Sequence, residues 1–335
     1  MGHSVNDEAR TMVGTEKGSL GVEKVLLEQM KTLAGDVWSL ALTQQDIKDW
    51  LKNFEPTEAT DNDRLHALHL LSHFNYVGER EVRALLRSAY RDLFAYPIRQ
   101  TLRRLLLYTK SPVAINSQYQ RQLENTHFLG VGGPAASGQH LLYYFRQENN
   151  LTEGVFADRL ELLAADSPVF SHEVFDEVKI RRIVYVDDLL GSGEQMLEKE
   201  TAFITSIRKQ ARDASYVLEV SYLALFAKQS GIDRLKGSSL FDHVGAVHVL
   251  DGAQEAFSDE SRVYTSMPTY TSRGQGRAVA QLKGEQLVKS HPLGWNDGQL
   301  LLAFAHNTPD NSLPIFWWNK TPAEWKALFP RTEKI

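Results

Sequence analysis

The sequence predicts an α/β fold, a mostly parallel sheet flanked by helices, with an all-helical N-terminal region before it. Helical apolar periodicity runs from residue 22 to about residue 110, and afterwards short β-branched apolar runs alternate with helical segments. Strands that alternate with helices at this spacing are typical of βαβ units, which pair in parallel. We therefore expect a flexible tail over residues 1–21, a helical region over residues 22–110 and an α/β domain over residues 111–335.

The N-terminal region is predicted to be helical throughout. Patterning begins near Val22, and Thr43 precedes a stronger helix in the position of an N-cap. Pro97 is expected to end or kink the pattern, because proline cannot donate the helical hydrogen bond. The stretch from 110 to 124 is polar and irregular, and we place the domain boundary there. The predicted helices cover residues 44–54, 61–73 (starting at Asp61 or Asp63), 77–93 and 97–107.

The second half of the chain is predicted to form the parallel sheet. Its apolar runs are short and rich in β-branched residues, and each is followed by glycines or polar residues that open a helical pattern. Ligands of open α/β sheets bind beyond the carboxyl ends of the strands, so the loops that leave these strands are the candidate site. The predicted strands cover residues 128–131, 182–186, 216–226 and 244–250, and the predicted helices cover residues 138–147, 194–212 and 230–235.

Length, charge and cysteine content limit the classes of function. The 335 residues are 42% apolar and 24% charged, which is ordinary for a globular protein, and the net charge is −5. The total charge does not indicate a nucleic-acid binder, although a local basic face stays open. The absence of cysteine excludes disulfides, thiolate metal sites and cysteine nucleophiles, and it fits a reducing cytoplasm. No run of about 18 apolar residues predicts a membrane span, and no apolar signal segment begins the sequence, so we expect a cytoplasmic protein.

The segment from Ile183 to Gln195 carries the chemistry. It reads as a β-branched strand, then Asp187 and Asp188, then a Gly-Ser-Gly turn that opens a helix. A new helix exposes free N–H groups and a positive dipole end, which suit a phosphate. Adjacent carboxylates accept hydrogen bonds from ribose hydroxyls and hold Mg²⁺ directly or through water. The alternative is a plain strand-to-helix turn with aspartate caps, whereas a Walker-type loop is disfavoured because no Gly-Lys-Ser/Thr end is present.

The string from Val186 to Gln195 resembles the phosphoribosyl-pyrophosphate loop of type I phosphoribosyltransferases. The resemblance implies that Asp187 and Asp188 bind the ribose and, with Mg²⁺, take part in catalysis. It also implies that the next residues form the cradle of the 5′-phosphate. Gln195 stands where the family usually has threonine, which removes one hydroxyl donor. The cradle residues are Gly191, Ser192, Gly193, Glu194 and Gln195.

A second glycine-rich segment, between a predicted strand and a predicted helix, matches the family's pyrophosphate loop in position. The resemblance implies that it holds the pyrophosphate and that a mobile catalytic loop lies within Ala164–Asp176. The alternative is a plain βα turn. The pyrophosphate-loop residues are Gly133, Pro134, Ala135, Ala136, Ser137 and Gly138.

The resemblance covers about residues 125–250, and the whole layout looks most like the phosphoribosyltransferase-like proteins of bacterial anti-phage and other conflict loci, including retron-associated ones. It implies a defence role and a ligand that is phosphoribosyl pyrophosphate or a nucleotide. Three hypotheses stay open: an enzyme that uses this ligand with Mg²⁺, a non-catalytic sensor or regulatory subunit, and an RNA- or protein-binding partner with a vestigial pocket.

Three weaker patterns are each given a structural interpretation first. The arginine stripe is typical of a solvated helix face, and its alternative is contact with RNA, DNA or an acidic protein partner, which Arg99, Arg103 and Arg104 would support. Histidines at helical spacing are expected to be core or surface residues rather than metal ligands. C-terminal tryptophans are expected to pack rather than stack on a base. These residues are Arg80, Arg83, Arg87 and Arg91; His66, His69 and His73; and Trp295, Trp317, Trp318 and Trp325.

Overall fold

The computed structural model describes residues 21–38, 41–54, 62–131, 137–157, 159–163, 180–265, 270–320 and 324–331. Contacts divide the chain into two compact units. Unit 1 comprises Met1–Glu79 and Asp251–Glu333, and unit 2 comprises Arg80–Leu250 with Lys334–Ile335. The expected boundary near residue 110 does not coincide with this division. The Trp-rich C-terminal segment, expected in the α/β domain, belongs instead to the unit of the first helices.

The described elements follow the predicted order closely. The helices are α1 (21–32), α2 (Gln44–Leu51), α3 (Asp63–Ser72), α4 (Glu79–Ser88), α5 (Tyr96–Leu105), α6 (Pro112–Glu124), α7 (Ser137–Glu148), α8 (Arg159–Leu163), α9 (Glu194–Asp213), α10 (Gln229–Gly237), α11 (Arg273–Leu287) and α12 (Pro314–Trp317). The strands are β1 (Asn75–Val77), β2 (Thr126–Gly130), β3 (Ile180–Leu190), β4 (Val217–Lys228), β5 (His243–Leu250) and β6 (Leu302–Phe304).

Unit 1 packs its helices and a two-stranded parallel sheet around an aromatic core. Strand β1 pairs with β6, with Asn75 opposite Leu302, so the two segments of unit 1 share one sheet. The indole Nε1 of Trp50 donates a 2.8 Å hydrogen bond to the carbonyl of Ile315, and its ring stacks on Phe316. Burying these rings removes large apolar areas from water, which stabilises the join between the segments.

Helix α2 begins as its sequence predicts. The Thr43 hydroxyl accepts from the amide of Asp46, and the Asp46 carboxylate accepts from the amide of Thr43, which completes a capping box. The prediction of Thr43 as N-cap is confirmed.

Unit 2 contains a four-stranded parallel sheet in the order β2-β3-β4-β5. One face is covered by α8, α9 and α10, whose apolar side chains cluster with Tyr185 and Tyr222 of the sheet. On the other face, Phe128 of β2 packs against Phe94 and Phe145. The predicted α/β class with a parallel sheet is confirmed.

The helical path from α4 to α5 continues through Pro97. Residues Ala89–Ala95 form a π-helical turn, in which the amide of Tyr96 donates to the carbonyl of Arg91. A π turn widens the helix locally, so the backbone hydrogen-bond pattern accommodates the ring of a proline that follows it. Pro97 occupies the first turn of α5. The helix therefore does not end at Pro97, and the other predicted possibility, a kink, stays a prediction.

Helix α6 occupies the stretch expected to be an irregular boundary. Ser111 caps it by accepting from the amide of Ala114, and Pro112 stands at its first position. Only a narrow stripe, with Tyr119 and Leu123, is buried. A polar helix with so few apolar positions gives almost no period, which is why the sequence prediction missed it.

Across the parts of the chain that the structure describes, no helix combines the length and hydropathy needed to span a bilayer.

Candidate functional site

The two predicted ligand loops leave neighbouring strands at the same edge of the unit 2 sheet. Gly130, the last residue of β2, lies opposite Val186 of β3, and Asp187 lies opposite Ala224 of β4. Parallel strands present their carboxyl ends together. The acidic pair therefore lies beside the end of β2, from which the glycine-rich segment departs.

Asp187 and Asp188 are both half-buried. Residues two apart in a strand point to the same face, so Asp187 shares the α9 face with Tyr185. Each carboxylate also caps the backbone that follows it. The amide of Asp188 donates to Asp187 Oδ1 at 3.1 Å, and the amide of Leu189 donates to Asp188 Oδ1 at 2.7 Å.

The buried hydroxyl of Tyr222 orients Asp187. Tyr222 belongs to β4, is 1% exposed, and donates a hydrogen bond to Asp187 Oδ2. Burial, then the negative charge of Asp187, raises the pKa of the phenol well above its usual value, so the hydroxyl keeps its proton. Asp187 therefore receives a fixed donor on one oxygen.

The Gly-Ser-Gly turn needs its second glycine for backbone conformation. Gly193 is the N-cap of α9 and has φ of 74°, in the left-handed region that favours glycine. Its carbonyl accepts the first helical hydrogen bond, from Leu197, at 3.1 Å. The Ser192 hydroxyl accepts a 3.4 Å hydrogen bond from the amide of Glu194, the first residue of α9. The later amides of a helical first turn have no partner within their own helix.

Gly231 of α10 supports the turn from behind. A Cβ on Gly231 would lie 2.1 Å from the carbonyl oxygen of Gly191, so only glycine allows this approach. The Gly191 carbonyl therefore points towards α10. Carbonyl and amide of one trans peptide point in opposite directions, so the amide of Ser192 points away from α10. This orientation suits an anion on the open side of the loop.

A buried acid joins α9 to the strand and to α8. Glu200 of α9 is 1% exposed, accepts a 2.8 Å hydrogen bond from the Tyr185 hydroxyl, and forms an ion pair with Arg159. Burial raises the pKa of Glu200, while the Tyr185 hydrogen bond and Arg159 oppose that rise. The network fixes the helix whose N-terminus is the predicted phosphate cradle.

The other predicted loops fall largely outside the described residues. Residues 132–136 and the predicted catalytic loop 164–176 lie outside them, and Ser137 with Gly138 begins α7. The order of strand, glycine-rich segment and helix agrees with the sequence prediction on both sides of the gap.

The metal-ligating capacity of the site rests on its two aspartates. Among the described residues, no group of three or more histidine, aspartate or glutamate side chains is placed to hold a metal ion. Mg²⁺ at phosphate sites takes one or two carboxylates and completes its shell with water and substrate phosphates. The half-buried Asp187 and Asp188 fit that donor set.

The arginine stripe is partly engaged within unit 2. Arg83 and Arg87 both bind Glu148 of α7, with 2.9 Å from Arg83 Nη1 to the carboxylate, and Arg83 also lies over the ring of Tyr144. Arg91 pairs with Asp92. These contacts favour the structural interpretation of the stripe.

Two of the histidines are buried and three of the four tryptophans pack in or against the core, as expected. His66 and His69 are 1% and 2% exposed, and they hydrogen bond to Thr271 and to the carbonyl of Val263. Trp317 is buried and donates to the carbonyl of Ser312 at 2.8 Å. The rings of Trp318 and Trp325 pack against the same core. Trp295, in contrast, is 44% exposed and stacks on His291.

Sequence reasoning missed Tyr222, Gly231 and Glu200. Tyr222 stands in a continuous apolar strand, and a tyrosine there is indistinguishable from core packing. A glycine inside the short α10 was a weak signal, because glycine lowers helix stability unless close packing requires it.

The parallel sheet, with an acidic pair and a Gly-Ser-Gly helix start at its carboxyl edge, defines a phosphoribosyltransferase-like α/β protein. A profile of the family described as PRTase-CE matches residues 47–331, most of the chain, and the chain belongs to that family. The match extends well beyond residues 125–250 and includes parts of both units. Membership supports a phosphoribosyltransferase-type function.

Other comparisons add little. No curated protein matches this chain. The solved structure of the AQ2163 protein from Aquifex aeolicus is 13% identical and covers 63% of this chain and 86% of its own, with a TM-score of 0.26. A likeness at that score carries no argument.

Proposed function

We propose that unit 2 binds a ribose 5-phosphate compound, phosphoribosyl pyrophosphate or a nucleotide, together with Mg²⁺. The observation that carries the proposal is the order of features along the loop, an acidic pair followed by a glycine turn and a helix start. The half-buried Asp187 lies near the end of β3, and the turn that follows this strand opens a helix whose Ser192 amide points away from its support, Gly231. Hydroxyl acceptors and an anion site thus adjoin, as a phosphorylated ribose requires.

In this proposal each residue has one task. Asp187 and Asp188 accept hydrogen bonds from the ribose hydroxyls, and Tyr222 keeps Asp187 in the accepting orientation. The backbone amides from Ser192 to Gln195 bind the 5′-phosphate, aided by the Ser192 hydroxyl. Residues 133–138 bind the pyrophosphate, as the resemblance implies.

The proposed reaction is displacement at the anomeric carbon. The bond from that carbon to the pyrophosphate oxygen breaks with its electron pair leaving on pyrophosphate, and the acceptor forms the new bond. Mg²⁺, which Asp187 and Asp188 would hold, supplies positive charge that stabilises the leaving pyrophosphate. The carboxylates stabilise the positive charge that develops on the ribose, because opposite charges attract strongly at a partly desolvated site.

A thermal-shift screen with Mg²⁺ tests the ligand. It compares wild type with Asp187→Asn/Asp188→Asn across phosphoribosyl pyrophosphate, nucleotides and NAD. The ligand should raise the Tm of wild type and not of the variant, because a ligand stabilises a protein only when the folded state binds it. Asp213→Asn/Asp233→Asn, two exposed positions of unit 2, is the control for lost charge. Equal stabilisation of wild type and acidic-pair variant would show that the pair does not contact the ligand.

A second candidate is a non-catalytic sensor of the same ligand. It is favoured by Gln195, which is exposed in the first turn of α9 where the family usually has threonine. Ligand occupancy would then bias contact with a partner through its differential affinity for two states. Calorimetry combined with a turnover assay separates the candidates, since binding without product formation identifies the sensor.

The proposal includes a role in anti-phage defence, supported by the resemblance to proteins of bacterial conflict loci. Phage should form fewer plaques on cells that express the gene together with its native neighbouring genes than on cells that express the Asp187→Asn/Asp188→Asn variant. Equal plaque numbers would remove the link between this site and defence.

A further inference from the structure

The hairpin of α5 and α6 exposes large apolar side chains that the proposed site does not use. Leu107 is 90% exposed, Val113 78%, Leu105 71% and Tyr108 69%. Leu107 and Tyr108 have φ of 52° and 58°, in the region that non-glycine residues rarely adopt. Such exposure in a left-handed turn is unusual for leucine and is typical of an interaction surface.

The same hairpin is strongly basic within an acidic protein. Between Asp92 and Glu124 the sequence holds no carboxylate side chain, although the chain has a net charge of −5. All five cations of this stretch are exposed. They are Arg99, Arg103, Arg104, Lys110 and Arg121.

The cations and tyrosines extend along the hairpin rather than gathering at its turn. Tyr96, Arg99 and Arg103 recur at three- and four-residue spacing, which puts them on one face of α5. Tyr96 is 59% exposed at the start of α5, and Tyr108 lies in the turn at its other end. A helix of this length spans about 15 Å. The backbone phosphates of several nucleotides would therefore fit between the two exposed rings.

We propose that the α5–α6 hairpin binds single-stranded nucleic acid. The arginines and Lys110 contact phosphates, while Tyr96 and Tyr108 stack on bases and Leu107 covers further base faces. Single strands combine a chain of negative charges with unstacked apolar faces, and proteins bind them through basic grooves and aromatic side chains.

Other partners fit less of the surface. A duplex keeps its base faces stacked inside, and so leaves the apolar side chains exposed. An anionic membrane would meet the turn and leave the stripe from Tyr96 to Arg103 unused. A second copy of the same surface would bring together two groups of like charge.

Fluorescence anisotropy with labelled 20-nucleotide oligo-dT and oligo-U tests the proposal on the full chain over 50–300 mM salt. Arg103→Gln/Arg104→Gln should lower the magnitude of the slope of log Kobs against log salt by about 1.4, since each lost phosphate contact on a single strand contributes about 0.7. Tyr108→Ala should weaken binding about tenfold at constant slope, because it removes one stacked base and no charge. The matched control Lys209→Gln/Lys236→Gln removes two exposed cations elsewhere in unit 2 and should change neither quantity.

Several outcomes would overturn the proposal. They are absence of oligonucleotide binding, equal effects of the hairpin and control variants, and preference for a duplex of the same length. Binding to phosphatidylglycerol vesicles that Leu107→Ser abolishes, or a Leu107-dependent dimer, without oligonucleotide binding would assign the surface to a membrane or to a second copy. All substituted positions are exposed, so unchanged circular dichroism is expected for each variant. None of these results depends on the ribose 5-phosphate proposal.

Discussion

Tyr222 illustrates how a single buried hydroxyl prepares a carboxylate for ligand binding. It stays protonated because burial and the charge of Asp187 raise its pKa, and it therefore donates at any physiological pH. A donor that is already in place reduces the ordering that a ligand must supply on binding. The remaining lone pairs of Asp187 would then meet the proposed ligand in a defined orientation.

Tyr222→Phe should weaken binding of the ribose 5-phosphate ligand about tenfold, because it removes a hydrogen bond to a charged group, which is worth about 1.5 kcal/mol at the lower end. Isothermal titration calorimetry with Mg²⁺ measures the change. Tyr119→Phe is the control, since it removes a similarly buried hydroxyl that bonds to the Tyr90 hydroxyl outside the site. Equal losses of affinity in both variants would reduce Tyr222 to a packing residue.

Residues that are adjacent in the sequence were predictable at this scale, and residues that meet through strand register were not. Asp187, Asp188 and the Gly-Ser-Gly turn form one local pattern with a physical use. The Tyr222 contact depends on the pairing of β3 with β4, which places Tyr185 opposite Tyr222. No local spacing in the sequence encodes that pairing.

Between elements, Gly231 of α10 lies so near the Gly191 carbonyl that a Cβ on it would be 2.1 Å from the oxygen. Gly231→Ala should destabilise the protein by about 1–3 kcal/mol and abolish ligand binding, because the new methyl group collides with rigid backbone. Urea unfolding and calorimetry measure the two effects.

Gly237→Ala is the matched control for that substitution. It lies at the end of the same helix, and a Cβ there meets no atom within 4 Å. It should leave binding unchanged and shift stability only slightly. Retained ligand binding in Gly231→Ala would mean that the loop does not depend on this support.

Helices α4 and α7 are tied by Glu148, and the tie predicts a pH dependence. The hydrogen bond from Arg83, with the added effect of Arg87, lowers the pKa of Glu148. A carboxyl with a lowered folded pKa stabilises the fold above its unfolded value and loses that contribution as pH falls through the folded pKa. Glu148→Gln should therefore reduce stability at pH 7 by at most about 1 kcal/mol, and this effect should shrink as the pH falls below 4.5. Parallel stability curves for wild type and Glu148→Gln across this range would contradict the prediction.

The alternating strands and helices of unit 2 were predictable because the buried face of each element imposes a characteristic spacing of apolar residues on the sequence. Helix α6 was not, since it buries little beyond Tyr119 and Leu123. Its existence depends on the Ser111 cap and on packing against α5 rather than on an apolar stripe.

On the scale of the whole molecule, the division into units follows contacts distant in sequence. Strand β1 pairs with β6, and the boundary at residues 79–80 lies where helix α4 begins rather than in a glycine- or proline-rich linker. A sequence-based search for linkers therefore could not find it.

All six tryptophans belong to unit 1, so their fluorescence reports on that unit alone. Burial lowers the pKa of His66 and His69 to about 4, whereas an unfolded histidine titrates near 6.5. The unfolded state therefore binds protons first as pH falls. Unit 1 should lose stability between pH 6.5 and 4, by up to about 3 kcal/mol per histidine, and no further below both values.

Urea unfolding followed by tryptophan fluorescence at pH 7.5 and 5.0 measures this loss. The difference between the two midpoints should shrink in His66→Gln/His69→Gln and persist in His73→Gln, an exposed position next to the end of α3. An unchanged difference in the double variant would assign the acid sensitivity to other groups.

The pairing of β1 with β6 also has a consequence during synthesis on the ribosome. All of residues 80–250 must be translated between the two segments of unit 1, which takes on the order of ten seconds at usual elongation rates. The first segment of unit 1 emerges with its aromatic side chains exposed until the second segment has been translated. The parallel sheet of unit 2 can assemble in the meantime. Nascent chains that stall before residue 302 therefore present the Trp50 surface to chaperones.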